Sequence, residues 1–355
     1  MTNVSYNQTD SLVEIIRGNG AVFDYMDGMQ LVGNFGSPIG EYDSIRHDNT
    51  VSDRSHFGLL KVNGKDALEL LNRLSTNKVV DLPSGQGAST ILTNNKGRII
   101  DRLLVSNLGD YSLVFTSPGR SASVMDWIDT YTFGEDIAIQ DIGCQKSIIS
   151  ITESKTPGLL DRSMYPVELY ASSTCSVFGI ESCIVRSDHA GVIGYDLIVS
   201  KDDAPSLWGS VLDQGAIAVG EQALEMVRLE QGIPKFGHEI GEEFNPLEAN
   251  LEPSISYDKG CYIGQEVVLR LKTYDKVQRH LMGITISGDG VFPRNIVKTS
   301  GEEIGFITSM AYSPILNSKF ALSYIKGKHA YHNLEVQVDA DGNLIPGKLV
   351  SLPIT

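Results

Sequence analysis

The pattern of apolar and polar positions predicts a mixture of helices and strands whose balance changes near the end of the chain. Apolar residues at helical spacing predict helices over 66–74, 123–131, 204–212 and 221–231. Short apolar runs bounded by turn residues predict strands over 59–62, 89–92, 99–105, 147–151, 178–185 and 194–199. The turn signal of Asn94–Gly97 joins two of these strands into a hairpin. From about Val277 the pattern changes to short strands broken by Gly, Pro and Asn, which predicts a small all-β domain.

Length and charge narrow the class of protein. A chain of 355 residues exceeds one typical core, so we expect two or three domains. The formal net charge of -15 argues against nonspecific binding to nucleic acid or to an anionic membrane. The first residues lack a basic start and an apolar core, and no apolar run approaches the length of about 18 residues that spans a bilayer. We therefore expect a cytoplasmic protein with neither a nucleic-acid nor a membrane partner.

The cysteines do not have the spacing of a metal site. Cys144, Cys175, Cys183 and Cys261 form no C-x-x-C pair, and no histidine lies at a zinc-like spacing from them, so we expect no bound metal. Cys175 and Cys183 could meet across a hairpin. Two separate reduced thiols fit better in a chain without a secretion signal.

The octet Lys259-Gly-Cys-Tyr-Ile-Gly-Gln-Glu266 places one cysteine between a lysine and two glycines. Lys259 supplies a positive charge, and the residues after Gly264 can open a helix whose first turn adds partial positive charge. Both features favour the thiolate form of Cys261, as expected of a reactive or ligand-forming thiol. The alternative is a small buried apolar residue, because free cysteine is often buried.

Three charged residues interrupt apolar elements. Arg228 lies at the edge of a mostly buried helix, where a guanidinium needs an internal acid or an anionic ligand as its partner. Asp196 lies on the opposite strand face from Tyr195, and it either faces water or serves a site. Asp101 interrupts an apolar strand and lies either on a solvated face or in a cleft. Ser55 has no G-x-S-x-G setting, and no phosphate-binding or dinucleotide-binding fingerprint is present.

The octet resembles the signature of YgfZ-type folate-binding proteins, in the superfamily of the glycine-cleavage T-protein, the aminomethyltransferase. Residues 52–58, 94–101, 228–240 and 246–249 resemble family motifs in the same order. The resemblance implies an α+β fold, a three-domain cloverleaf of T-protein type with a small C-terminal β-barrel and a folate in the central channel. It also implies a folate-binding region over 1–275, with interleaved α+β subdomains at roughly 1–50 plus 140–275 and at 51–139, followed by a barrel domain over 276–355.

The same resemblance implies roles for individual residues, with tetrahydrofolate as the cofactor. Asp196 stands where the family has a pterin-binding glutamate, and its side chain is one methylene shorter, so its contact would be longer or bridged by water. His189 stands where many T-proteins have a tyrosine. The implied cofactor-binding residues are Arg228, Asp196, Tyr195, His189 and Lys259, and the implied catalytic residues are Cys261 and Asp101.

Two departures from the T-protein pattern affect the expected activity. T-proteins usually have two adjacent acids, one of which assists the folate nitrogen, where this chain has Asp101-Arg102. Cys261 marks the YgfZ branch, which is implicated in making or repairing iron–sulfur enzymes. The sequence thus favours a tetrahydrofolate-binding protein that acts in iron–sulfur cluster assembly or repair, with iron–sulfur client or assembly proteins as partners. The alternatives are a tetrahydrofolate-dependent aminomethyltransferase or demethylase, and a folate-regulated interaction module without catalysis.

Overall fold

The computed structural model describes residues 11–152, 159 and 165–354, and for His189 only the backbone. The chain divides into two compact units. The first comprises Met1–Thr90 and Arg102–Leu224, and the second comprises Ile91–Asp101 and Glu225–Thr355. No helix in the described part of the chain is long and apolar enough to cross a membrane.

Helices and strands alternate through the first two thirds of the chain, and strands dominate the remainder. The helices are α1 (Ser11–Gly18), α2 (Pro38–His47), α3 (Ala67–Leu74), α4 (Ser121–Thr130), α5 (Ala204–Asp213), α6 (Glu221–Gln231) and α7 (Gln265–Thr273). The strands up to α4 are β1 (Val22–Met26), β2 (Met29–Asn34), β3 (Thr50–Asp53), β4 (Gly58–Asn63), β5 (Gly87–Thr93), β6 (Ile99–Asn107) and β7 (Ser112–Thr116). Those that follow are β8 (Ala138–Asp141), β9 (Lys146–Thr152), β10 (Ser172–Val177), β11 (Ile180–Ser187), β12 (Gly194–Ser200), β13 (Ile217–Ala218), β14 (Arg279–Ile286), β15 (Ile296–Thr299), β16 (Glu302–Ser313), β17 (Ser318–Lys326), β18 (Glu335–Ala340) and β19 (Asn343–Val350).

The first unit is built around a six-stranded sheet of order β10-β11-β12-β9-β3-β13. Alternate residues of its central strands point to opposite faces. One face, with Ile149 and Leu197, packs with α1 and α5 around the fully buried Trp208. The other face, with Ile148 and Ile198, packs with apolar residues of β4 and β7, which belong to the five-stranded sheet β5-β6-β7-β4-β8. The central strands are therefore buried on both faces.

The second unit contains the closed barrel β14-β17-β16-β15-β18-β19. This confirms the all-β domain that the sequence predicts from about Val277. One apolar cluster lies among the barrel strands, around Ile284, Val297 and Val338. A second cluster joins barrel residues to α6 and α7 and to Ile91 and Ile99 of the β5–β6 hairpin.

The structure corrects one strand prediction and confirms the hairpin. The predicted strand over 178–185 begins too early, because Phe178 and Gly179 form a turn with φ values of 50° and 84°. The strand before that turn, Ser172–Val177, was not predicted. It is rich in Ser and Thr and lacks a clear apolar pattern. The hairpin around Asn94–Gly97 is confirmed, with strands Gly87–Thr93 and Ile99–Asn107.

Candidate functional site

Asp196 is a buried carboxylate at the centre of the first unit. It lies on β12 and is 1% exposed, so the alternative in which it faces water is wrong. Its register partners are Val185 on β11 and Ser150 on β9, and the Ser150 hydroxyl donates a hydrogen bond to Asp196 Oδ1. Strand alternation places Asp196 on the same face as Ile198, among the residues that pack toward the five-stranded sheet. A carboxylate in such a setting needs hydrogen-bond donors.

Tyr195 points to the opposite face of the sheet. It belongs to the apolar cluster with Leu197, as the alternation of the strand predicts. Its hydroxyl accepts a hydrogen bond of 2.7 Å from Arg186 Nη1 and donates one of 3.3 Å to the carbonyl oxygen of Pro166. These contacts engage Tyr195 within its own unit. They do not bring it together with Asp196.

Arg102 belongs to a polar network in the first unit. Its Nε donates to the Ser89 hydroxyl at 3.0 Å, and its Nη2 donates to the Tyr170 hydroxyl at 3.3 Å. Tyr170 in turn lies 3.1 Å from both carboxylate oxygens of Asp188. Burial raises the pKa of Tyr170 to about 12, so its hydroxyl stays protonated and donates a hydrogen bond to Asp188. The neighbouring His189 has its side chain outside the described residues.

Asp101 is fully buried in the second unit, at 0% exposure, which excludes the solvated-face alternative. It lies on β6, close to the hairpin turn, and shares a strand face with Ile99. Arg102 follows on the opposite face of the strand. Its guanidinium donates hydrogen bonds to Ser89 and Tyr170 on that face.

Arg228 is 7% exposed on α6 and is surrounded by acids of its own unit. Its Nε and Nη2 donate to the carboxylate of Glu225 at 2.8 and 2.6 Å, which makes a bidentate pair. Its Nη1 donates to Glu239 at 3.1 Å and to the carbonyl oxygen of Ile233 at 2.5 Å. Of the two partners that the sequence left open, the internal acids are the ones observed. Four of the five N–H groups of the guanidinium are used in this way.

Strong attraction holds this pair ionised. Burial alone would raise the pKa of Glu225, but the charge of Arg228 and the hydrogen bonds from it lower that pKa to about 2. Burial alone would likewise lower the pKa of Arg228, yet the charges of Glu225 and Glu239 raise it above its ordinary value. Glu239 is itself fully buried and also accepts a hydrogen bond of 2.6 Å from the Ser309 hydroxyl.

The octet forms a loop that leads into α7, whose N-cap is Gly264. Cys261 is exposed, so the buried-residue alternative is wrong for this position. Lys259 is 8% exposed, and its Nζ lies 5.3 Å from the ring centroid of Tyr262. Burial lowers the pKa of Lys259 to about 8, which weakens the positive charge that the sequence places beside the cysteine.

The other cysteines are placed as separate thiols. Cys175 pairs in register with Ser182, and Cys183 pairs with Thr174, so the two cysteines lie on opposite faces of the sheet. Both are free, as is Cys144. Among the described residues, no three His, Cys, Asp or Glu side chains are grouped as metal ligands.

Sequence reasoning missed the partners that decide what each charged residue can do. Glu225 lies three residues before Arg228 on the same helix, a spacing that brings side chains together and was readable in the sequence. Glu239 reaches Arg228 only through the loop after α6, and Ser150 reaches Asp196 only through strand register. No pattern in the neighbouring sequence indicates either of these two contacts.

Both parts of the chain match family models. The GCVT N-terminal domain matches residues 12–259, and the glycine cleavage T-protein C-terminal barrel domain matches residues 279–355. A relative named aminomethyltransferase from Halothermothrix orenii is 29% identical, covering 96% of this chain and 98% of its own. Another of that name from Caldanaerobacter subterraneus is 28% identical, covering 90% of this chain and 88% of its own.

Solved structures add a match in fold. The crystal structure of glycine cleavage system aminomethyltransferase T from Bartonella henselae superposes with a TM-score of 0.87 at 20% identity, and the match covers 99% of this chain and 98% of that one. The mixed α+β fold and the closed C-terminal barrel are therefore those of that protein. With family models matched over 12–259 and 279–355, the chain belongs to the glycine-cleavage T-protein superfamily.

Proposed function

We propose that this protein is a tetrahydrofolate-dependent one-carbon transferase of the aminomethyltransferase type. The observation that carries the proposal is the burial of two acids, Asp101 at 0% and Asp196 at 1% exposure. Burying a carboxylate costs free energy unless it is paired and hydrogen-bonded, and groups kept buried at that cost cluster at functional sites, so buried acids are candidates for binding and proton transfer. Both stand where the family resemblance assigns functional acids.

The relatives support the transferase over iron–sulfur maintenance, the function that the sequence favours. Two relatives that match this chain along most of their length are named aminomethyltransferase. The position of Arg102 is also compatible with transfer chemistry. Arg102 points to the opposite face of β6 from Asp101, where its guanidinium donates hydrogen bonds to Ser89 and Tyr170.

Each proposed role follows from what the side chain can do where it lies. The carboxylate of Asp196 would accept hydrogen bonds from adjacent N–H groups of a pterin, as a buried anion does. Asp101 would hold or accept a proton near the reacting nitrogen. When bound, tetrahydrofolate would supply the nitrogen that receives the one-carbon group. Arg228 would contribute through the N–H of Nη2 that remains after its bonds to Glu225.

A turnover assay tests the proposal. Wild type and Asp101→Asn are incubated with tetrahydrofolate and a panel of aminomethyl and methylamine donors. Aminomethyl donors would give methylene-tetrahydrofolate and ammonia, methylamine donors would give methyl-tetrahydrofolate and the demethylated amine, and both pairs of products are measured. We expect turnover of at least one donor, reduced about 10²- to 10⁴-fold by Asp101→Asn, as for loss of a general acid or base. The proposal fails if wild type converts no donor, or if the variant matches wild type.

Cys261 keeps iron–sulfur maintenance as a second candidate function. The observation in its favour is that the thiol is exposed. Cys261→Ser is isosteric and removes only the sulfur chemistry. If this candidate is correct, cells that carry the variant lose activity of iron–sulfur enzymes while tetrahydrofolate binding in vitro is unchanged. Normal enzyme activity in those cells would exclude it.

A further inference from the structure

Gly264 touches the backbone of the hairpin turn that precedes Asp101. It caps α7 with φ of 83°, a left-handed conformation that favours glycine. A Cβ atom built on Gly264 would lie 2.4 Å from the carbonyl oxygen of Asn94 and 3.0 Å from Cα of Gly97. Both are backbone atoms of the turn between β5 and β6, so they cannot move aside as a side chain could. Any larger residue at position 264 would displace the turn.

The turn meets the octet and α7 through further contacts. Gly97 has φ of 64°, and a Cβ atom there would lie 3.1 Å from Cβ of Val267. The buried Thr93 hydroxyl donates a hydrogen bond of 2.5 Å to the carbonyl oxygen of Ile263. The hairpin therefore contacts Ile263, Gly264 and Val267 through several of its own residues.

Residues 242–244 also bind the hairpin, through a separate set of hydrogen bonds. The amide of Ile99 donates to the carbonyl oxygen of Phe244 at 3.1 Å, and Arg98 Nη1 donates to that of Glu243 at 3.1 Å. Asn94 Nδ2 donates to the Glu242 carboxylate at 3.0 Å. The hairpin turn is thus bound by residues 242–244 as well as by residues 263–267.

Strand β6 links these contacts to the position of Asp101. Ile99 and Asp101 lie two residues apart on one face of β6. Ile99 packs in the same apolar cluster as Val268 of α7, so the helix that Gly264 caps also packs on this part of the hairpin. Interiors are close-packed, and a displacement of the turn is passed along a strand rather than absorbed.

We infer that Gly264 is a positioning residue for Asp101, and that the octet serves the reaction by fixing the β5–β6 hairpin rather than through Cys261 alone. The inference rests on the proposed role of Asp101 as the group that handles the proton. The octet then has a positioning role that does not involve the exposed thiol of Cys261. A residue that acts through Asp101 changes turnover and has no effect once Asp101 is disabled.

A double-mutant cycle tests the coupling. Gly264→Ala lowers kcat by about 10- to 100-fold, the size expected for a misplaced catalytic group, and leaves KM for tetrahydrofolate within about 2-fold. In the Asp101→Asn background the same change lowers kcat less than about 2-fold further. The matched control is Gly290→Ala, because Gly290 has φ of 81° with no atom within 4 Å of the added Cβ. That control keeps wild-type kcat. Additive losses, or a loss expressed in KM alone, would overturn the inference.

Hydrogen exchange separates this inference from the proposed function. The amides of Gly97 and Ile99 bond to Asn94 and Phe244, and Gly264→Ala speeds their exchange more than tenfold while barrel amides keep wild-type rates. Unchanged exchange in the hairpin overturns the inference even if the enzyme is active. An Asp101→Asn variant with wild-type turnover instead overturns the proposed role of Asp101. Where Gly264→Ala does not fold, Thr93→Val replaces it and lowers kcat about 3- to 10-fold by removing the hydroxyl donor to Ile263. Wild-type kcat in that variant overturns the inference.

Discussion

Arg228 and Asp196 are both charged residues that are almost completely buried, but different kinds of group bind them. Arg228 on α6 donates hydrogen bonds to two carboxylates of its own unit. It contacts both oxygens of Glu225 and one oxygen of Glu239. Asp196 on β12 receives a hydrogen bond from the neutral hydroxyl of Ser150. A buried cation bound by two acids of its own unit is held in place by them. The carboxylate of Asp196 accepts a hydrogen bond from Ser150, and a carboxylate can accept several, so a bound ligand can add another. Burial therefore identifies the candidate residues, and the groups that bind each one decide between a structural and a binding role.

Removing Arg228 should have the largest effect. Arg228→Ala leaves Glu225 and Glu239 buried without their cation, and we expect a loss of about 3–5 kcal/mol in the free energy of unfolding. Urea unfolding followed by circular dichroism measures this loss. In the double variant Arg228→Met/Glu225→Gln one of the stranded charges is also removed, and stability should recover in part. A loss below about 1 kcal/mol for Arg228→Ala would show that the acids do not depend on the arginine.

Lys259 is a buried cation whose pKa is lowered, whereas the pKa of Arg228 is raised. Its folded pKa of about 8 lies below the ordinary value of 10.5, so the unfolded chain binds more protons between these pH values. The cost of burying the charge is fully present below about pH 8, declines as the pH rises through that window and is absent above it. We expect Lys259→Met to be about 2 kcal/mol more stable than wild type at pH 7.

The test for Lys259 is urea unfolding of both proteins from pH 7 to pH 10.5. The advantage of the methionine variant should shrink steadily as the pH rises. Arg228→Met, measured in parallel, should show no such recovery, since the pKa of Arg228 is raised rather than lowered. A stability difference that is independent of pH would contradict the lowered pKa of Lys259.

Asp196→Asn should have the smallest effect on stability. The amide oxygen of asparagine can accept the same hydrogen bond from Ser150, and a buried negative charge is removed. We expect the free energy of unfolding to change by less than about 1 kcal/mol, in either direction. Thermal unfolding gives the value. A loss in the free energy of unfolding as large as that expected for Arg228→Ala would show that Asp196, like Arg228, has a structural role.

The sequence predicts the fold well where local chemistry decides it. The β5–β6 hairpin follows from Asn94–Gly97, and the barrel follows from short strands broken by turn residues after Val277. The strand Ser172–Val177 is not predicted because its Ser and Thr residues resemble a loop, and because the turn after it places the bulky apolar residue Phe178 at φ of 50° beside Gly179. Local pattern thus predicts elements that have a clear apolar pattern of their own as well as a turn residue at the end.

The site is less predictable because its properties depend on distant residues. The burial of Asp196 and Asp101 was one of two alternatives, and only tertiary packing selects it. The lowered pKa of Lys259 depends on how the octet folds, and a charged residue in a glycine-rich segment gives no sign of it. Spacing on a helix could have revealed Glu225, but Glu239 and Ser150 arrive through a loop and through strand register.

Tetrahydrofolate titration by calorimetry measures how much Asp196 and Arg228 each contribute to binding of the ligand. Wild type, Asp196→Asn and Arg228→Lys are compared at equal folded fraction, with Ser150→Ala as a control that removes the hydroxyl donor but keeps the carboxylate. We expect Asp196→Asn to raise the Kd about 10- to 100-fold, as for loss of a charged hydrogen-bond acceptor, and Arg228→Lys to raise it less. A Kd of Asp196→Asn within about 2-fold of wild type would show that Asp196 does not bind the ligand.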